Sequence, residues 1–175
     1  SVWLEARLAD HWKIRSNVSG YYRLQQRDFF TPSILLTGNL TGHTDGQRTH
    51  DLQYNILNEN YISWENQFGS HSVSVMGGTS LQYWVSDYLV VHGYDYTNDL
   101  IWTVNNATTF NSGENYSSRS EHSLASFFGR ASYNYNEKYM AQFTLRADGS
   151  SNFAPGHRWG YFPSASLGWV ITNEK

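Results

Sequence analysis

Four residues able to ligate a metal, His43, Asp45, His50 and Asp51, fall in one short polar stretch. Imidazole and carboxylate donors suit a divalent cation, but metal centres rest on compact ligand spacings, and none occurs here. The stretch reads as a loop rich in His and Asp, with no metal site. Asp95 and Asp99 could form a catalytic carboxylate pair. An acid–base role needs an environment that shifts a carboxyl pKa, and nothing in the surrounding polar sequence would bury either group. Ser, His and Asp all occur, yet no Gly-x-Ser-x-Gly elbow accompanies them. Asp148-Gly149-Ser150-Ser151-Asn152 opens like a calcium loop but lacks the later ligands, including the closing Glu, and reads as a turn.

Non-covalent recognition has better material. Tyr94, Tyr96, Trp102, Phe110 and Tyr116 lie in a stretch rich in Asn, Asp, Ser and Thr. Aromatic rings stack on sugar faces while the polar neighbours supply hydrogen bonds. Tyr94, Tyr96, Trp102 and Tyr116 are therefore the candidate ligand contacts, against packing within the loop or contact with a partner protein. Asn-x-Ser/Thr sequons at Asn17, Asn39, Asn106 and Asn115 would matter only in a eukaryotic secreted protein.

The elements that position these residues show best from Ser123 to Trp169. Ala125, Phe127, Gly129, Ala131, Tyr133 and Tyr135 alternate with Ser126, Phe128, Arg130, Ser132 and Asn134. After a tight turn at Asn136-Glu137, Tyr139, Ala141, Phe143, Leu145 and Ala147 alternate with Met140, Gln142, Thr144, Arg146 and Asp148. A Gly/Ser/Pro-rich loop, 149–158, precedes a third strand with Tyr161, Ala165, Leu167 and Trp169 on one face. A period of two gives each strand an apolar and a polar face. Earlier strands are predicted at Val2–Leu8, Trp12–Leu24, Leu52–Phe68 and Val73–Tyr83, with Asn58 and Asn60 interrupting the apolar face of the third. Short turns at Asp10-His11, Gly69-Ser70, Asn136-Glu137 and after Trp169 alternate with long loops at 25–50, 86–120 and 149–158.

Alternation alone does not separate a soluble sandwich from a membrane barrel. Short turns on one side, long loops on the other and aromatics near strand ends favour the barrel. The predicted fold is thus all-β: about seven antiparallel strands, a segment of a large transmembrane β-barrel. Arg130, Arg146 and Asp148 should face its lumen, with Gln142 and Thr144 beside them, and Phe127, Tyr133, Phe143, Leu145 and Leu167 should face lipid.

Composition agrees. The chain is 17% aromatic, with 13 Tyr and 7 Trp, and only 15% charged, against about 25% in soluble domains. No apolar run approaches the ~20 residues of a spanning helix, which leaves a barrel open. A net charge of −3 with scattered basic residues shows no nucleic-acid footprint. The absence of Cys removes disulfides and thiolate metal sites. Ser1 to Glu5 begins inside a strand-like pattern, without a signal segment or plug domain, so the chain is expected to be an internal piece of a longer protein.

Three runs sharpen this. Ser126-Phe127-Phe128-Gly129-Arg130, Leu145-Arg146-Ala147-Asp148-Gly149-Ser150-Ser151 and Arg158-Trp159-Gly160-Tyr161-Phe162-Pro163-Ser164 closely resemble the barrel of SusC/RagA-type TonB-dependent outer-membrane transporters. Asn152 and Pro155 depart from that pattern within one loop. The resemblance implies that 1–175 is part of the barrel, with the plug domain and remaining strands elsewhere. It implies TonB-driven import of a bulky nutrient, an oligosaccharide or a peptide, across a bacterial outer membrane. The implied partners are a SusD-like surface lipoprotein, the TonB–ExbB–ExbD complex acting through parts outside this chain, and outer-membrane lipid. No cofactor and no enzymatic activity are implied. A soluble secreted β-sandwich that binds glycans, or a jelly-roll hydrolase, is the alternative that the residues themselves leave open.

Overall fold

The computed structural model describes residues 1–33 and 43–173. Eight strands follow in order: β1 (Val2–Ala9), β2 (Trp12–Thr31), β3 (Asp45–Phe68), β4 (His71–Tyr96), β5 (Ala107–Thr109), β6 (Tyr116–Tyr135), β7 (Tyr139–Ser150) and β8 (Trp159–Trp169). Seven of them hydrogen-bond in the sequence β1-β2-β3-β4-β6-β7-β8, and the three-residue β5 pairs with β4 off that path. Among the described residues, β1 and β8 are the two edges.

The strands run further than the sequence pattern predicts. β2 continues to Thr31 and β3 already starts at Asp45, so the loop expected over 25–50 shrinks to 32–44. Its centre, 34–42, lies outside the described residues. Likewise β4 reaches Tyr96 and β6 starts at Tyr116, which trims the loop expected over 86–120 to 97–115 with β5 inside it. In β2 the reason is that Gln25 and Arg27 alternate with Gln26 and Asp28. Both faces are polar from 25 to 28, so the ladder is held by backbone hydrogen bonds and the apolar period disappears.

The chain divides into two compact units. The first comprises 1–20, 55–84 and 122–175; the second comprises 21–54 and 85–121.

In the first unit the register preserves the predicted split. Gly129, Ala131 and Tyr133 of β6 lie opposite Leu145, Phe143 and Ala141 of β7, which in turn oppose Pro163, Ala165 and Leu167 of β8. Val2, Leu4 and Ala6 of β1 oppose Val18, Ser16 and Ile14 of β2. Opposed residues of an antiparallel pair share a face, so one face is a continuous apolar band. Nothing covers it. Leu167 is 89% exposed, and Leu4, Ile14, Ile56, Leu81, Phe127 and Phe143 are exposed as well. The buried hydrophobics of the described chain, Val85, Val90, Tyr96 and Ala107, all belong to the second unit. A sandwich would bury this band, whereas a membrane barrel presents it to lipid. Where polar groups interrupt the band they satisfy each other: Ser16 Oγ donates to Asn60 Oδ1 at 2.6 Å, and Asn60 Nδ2 donates to Asn58 Oδ1 at 2.6 Å.

The short turns gather at one end of this unit. Asn136 N–H donates to Ser70 O at 2.7 Å, and Val170 N–H donates to Lys138 O at 2.8 Å. Asn136 and Glu137 both have φ above +50°, and Lys138 N–H closes the turn on Tyr135 O at 2.9 Å. Both residues take the left-handed conformation that tight hairpin turns use, within a three-residue connection, 136–138. Aromatics mark the same end. Tyr135, Tyr139 and Trp169 stack in a row at 6.4 and 6.5 Å, and Trp12, Trp64 and Phe68 form a second row. At the far end of β8, Trp159 stacks on Phe127 at 5.8 Å. Trp159 and Trp169 lie ten residues apart on one face. At about 3.3 Å per residue and a tilt of about 40°, the apolar band between them is about 25 Å tall, the height of an outer-membrane barrel's lipid belt.

The second unit has a small core. Val85 and Val90 are 3% exposed. Tyr96 packs edge-on against Phe30 at 4.9 Å, and its N–H donates to Thr44 Oγ1 at 2.7 Å. A Cβ on Gly93 would fall 2.5 Å from that of Ala107, so glycine is what lets β5 lie against β4.

Candidate functional site

On the polar face of the first unit, β6 and β7 place Ser126 opposite Asp148 and Phe128 opposite Arg146. Arg146 Nε donates to both carboxylate oxygens of Asp148, at 2.7 and 3.0 Å, and its Nη2 donates to Ser126 Oγ at 3.1 Å. Ser126 is only 1% exposed. Two of the three predicted lumen residues thus form one neutral, hydrogen-bonded unit. Arg130 lies opposite Thr144 and has no ion pair among the described residues. Ser72, Ser74, Ser132 and Gln142, together with Met140 and Leu167, line a mixed, mostly apolar concavity of about 360 Å³ in this unit. The face mixes small polar side chains and charges with Phe128 and Met140.

The residues that suggested a metal disperse. His43 Nδ1 lies 2.6 Å from Asp95 Oδ1, His50 meets Gln26 at 3.3 Å, and Asp51 accepts from Gln53 at 3.2 Å. Asp45 Oδ1 sits 3.8 Å from His92 Nε2. No group of three metal-ligating residues exists among the described residues. Asp95 and Asp99 take separate partners: Asp95 Oδ1 lies beside His43, and Asp99 takes the Ser33 N–H at 3.0 Å and the Ser33 hydroxyl at 2.5 Å.

The candidate aromatics separate by burial. Tyr96 is 8% exposed and belongs to the packing of its unit. Tyr94 is half-buried, donates its hydroxyl to Glu114 and stacks near His92 at 4.5 Å. Trp102 and Tyr116 are exposed, Tyr116 beside Tyr88 at 5.6 Å. Sequence reasoning missed Phe29, Tyr88 and the arginines of β2 around them, because 25–50 and 86–120 read as loop. The only available signal was the basic face of the strand that carries Arg23.

Glu114 ties the loop down. It takes the Tyr94 hydroxyl and the Asn111 amide (3.1 Å) and lies 3.0 Å from His92 Nδ1, and Asn115 Nδ2 donates to His92 O at 3.0 Å. The Tyr94 hydrogen bond first, with His92 and Asn111 adding to it, holds the Glu114 carboxyl below its ordinary 4.5. The two Ser33 hydrogen bonds hold Asp99 below its usual range in the same way. A carboxylate with a depressed folded pKa stabilises above its unfolded value, and that contribution is lost as pH falls through the folded one. Amides of 110–116 should therefore exchange faster, relative to intrinsic rates, as pH drops below the carboxylate range. Glu114→Gln should abolish most of that acid response. An unchanged response in the variant would assign the lock to another group.

A sheet with an uncovered apolar face, aromatic ends and short turns gathered at one end is a segment of a transmembrane β-barrel. Solved structures carry the same fold: the RagAB peptide transporter matches with a TM-score of 0.91 at 15% identity, over 98% of this chain and 19% of that one. No family model matches the sequence. Among curated proteins, TonB-dependent receptor P39 of Formosa agariphila is 30% identical over 173 residues, 98% of this chain. TonB-dependent receptor SusC of Bacteroides thetaiotaomicron is 32% identical over 130 residues, 73% of this chain. The chain belongs to the SusC/RagA-type TonB-dependent outer-membrane transporters and corresponds to part of their barrel. It spans 17% of the length of P39 and 12% of that of SusC. These relatives are named receptors and transporters, not enzymes.

Proposed function

We propose that the protein containing this chain imports a bulky nutrient, an oligosaccharide or a peptide, across a bacterial outer membrane by TonB-driven transport. The observation that carries this is the two-sided sheet. Its apolar band of about 25 Å suits lipid, and its other face, with Arg130, Arg146 and Asp148, suits a lumen. The names of the relatives point the same way. On this reading the plug domain and the remaining strands lie in other parts of the protein. The TonB–ExbB–ExbD complex supplies energy through those parts, and a SusD-like surface lipoprotein closes the barrel from outside. Trp102 and Tyr116, both exposed, are the proposed cargo contacts, with Tyr94 bonded to Glu114 in the same loop. Arg146 and Asp148 then serve as a self-neutralised pair on the lumen wall, and Arg130 is free to meet the plug.

The test is accumulation of labelled oligosaccharides and peptides in intact cells with and without the transporter. Uptake should require the transporter and collapse when TonB is deleted or a protonophore is added. Uptake of the same cargo that survives loss of TonB would reject the reading.

A further inference from the structure

The second unit holds a groove that the preceding reading does not use. Arg23, Gln25, Arg27 and Phe29 occupy alternate positions of β2. With Gln47, Thr49 and Asp51 of β3, and with Tyr88 of β4 at its side, they line a concavity of about 430 Å³. Its charge is unbalanced. Arg23 reaches Asp51 only at 3.9 Å, while Asp51 also accepts from Gln53 at 3.2 Å. Arg27 has no acidic partner among the described residues. The lining thus holds two guanidiniums and one carboxylate, which only Arg23 reaches, in a chain whose net charge is −3. Asp28 does not correct this. It takes both the Nε and the Nη2 of Arg48, at 2.5 and 3.2 Å, and neither residue lines the groove.

The chemistry around the charge is specific. A guanidinium presents a planar fork that matches carboxylate or sulfate oxygens in bidentate fashion. Gln47 and Thr49 supply an amide and a hydroxyl, groups that both donate and accept and so suit sugar hydroxyls. Phe29 is 60% exposed, so its ring is open to stack on a sugar. Arg23 Nη2 donates to Gln25 Oε1 at 2.6 Å, which fixes one fork in place before any ligand arrives. A neutral sugar would leave the charge of Arg27 unmatched. An apolar peptide would leave the amides and hydroxyl unused.

We propose that this groove binds an anionic oligosaccharide, with Arg23 and Arg27 gripping a uronate carboxylate or a sulfate ester and Phe29 and Tyr88 flanking the sugar ring. The proposal rests on the import reading and names the class of its cargo. Because the contacts are charge-assisted, affinity falls as salt rises.

The experiment uses the full-length transporter in detergent and calorimetric titration. The probes are an oligogalacturonate and its methyl ester, a sulfated oligosaccharide and its desulfated counterpart, and an acidic peptide. At least one charged sugar should bind about tenfold or more tightly than its neutral counterpart. Which pair shows the preference distinguishes carboxylate from sulfate. Arg23→Gln/Arg27→Gln should erase the preference while the neutral sugar binds as before, and Arg48→Gln should leave it intact. Equal binding of charged and neutral sugars overturns the proposal. So do failure of both charged sugars to bind, a preference that survives the double variant, and selective capture of the peptide. TonB-dependent uptake of a neutral sugar without the charge preference would sink this inference and leave the import reading standing. Arg-dependent binding of a charged sugar without energised uptake would do the reverse.

Discussion

Phe143→Arg should cost the folded barrel about 2–4 kcal/mol, the penalty for a guanidinium near the middle of the lipid belt. Phe143 sits on the apolar face of β7, opposite Ala131 of β6 and Ala165 of β8, and is 51% exposed. It lies four residues from Tyr139, which marks the turn end, and six from Gly149, opposite Trp159 at the other end. Near the midplane a long cationic side chain cannot reach either interface without cost, and the small residues beside it leave no polar partner. Thr144→Arg is the control, because a one-residue step turns the side chain to the other face. That face already carries Arg146 two positions away. Thr144→Arg should change stability by about 1 kcal/mol or less. The comparison is made by denaturant unfolding of the full-length barrel in lipid bilayers. Equal costs for the two variants, or a larger cost at 144, would reverse the assignment of faces. Spin labels at 143 and 145 should report lipid, and those at 144 and 146 water.

How far the sequence revealed this arrangement depended on what each strand touches. β6, β7 and β8 were legible because lipid on one side and water on the other impose a strict period of two. The turns at Asp10-His11, Gly69-Ser70 and Asn136-Glu137 were legible because short polar or Gly-containing breaks interrupt that period. The extension of β2 was hidden because Gln25 to Asp28 is polar on both faces, and that of β4 because Leu89, Val90 and Val91 run together without a period of two. Backbone pairing leaves no mark on side-chain polarity. Asn58 and Asn60 looked like a fault in β3, but they close a hydrogen-bond chain with Ser16 on the neighbouring strand. The apparent metal ligands dispersed for a related reason. His43 pairs with Asp95 and Asp45 with His92, partners 52 and 47 positions away, which linear spacing cannot show. Burial of Tyr96 against Phe30 is another such tertiary event. The groove around Arg27 needs three strands in register before it exists at all.

The edges give the prediction with the largest consequence. Residues 1–175 made alone should aggregate in water and need detergent to stay dispersed. The pairing order leaves β1 and β8 joined to one neighbour each, so Val2–Ala9 and Trp159–Trp169 each present a row of unpaired N–H and C=O groups. In hydrocarbon every such group costs several kcal/mol, which is why membrane sheets close into barrels. In water the edges could be guarded by charge or proline. β1 has Glu5 and Arg7, but Glu5 lies 3.8 Å from Arg15 and so offers little free charge. β8 has Pro163 and then none of Asp, Glu, Lys or Arg from Ser164 to Trp169. The apolar band adds a second drive, since Leu4, Leu8, Phe143, Leu167 and Trp169 are all exposed on it. Strand-to-strand association through the edges and face-to-face association through the band therefore reinforce each other. Gel filtration without detergent should place the isolated segment in the void volume, and detergent should shift it to a defined particle. A detergent-free, monodisperse monomer that melts cooperatively would show that something in the chain covers the band, and the barrel assignment would fall with it.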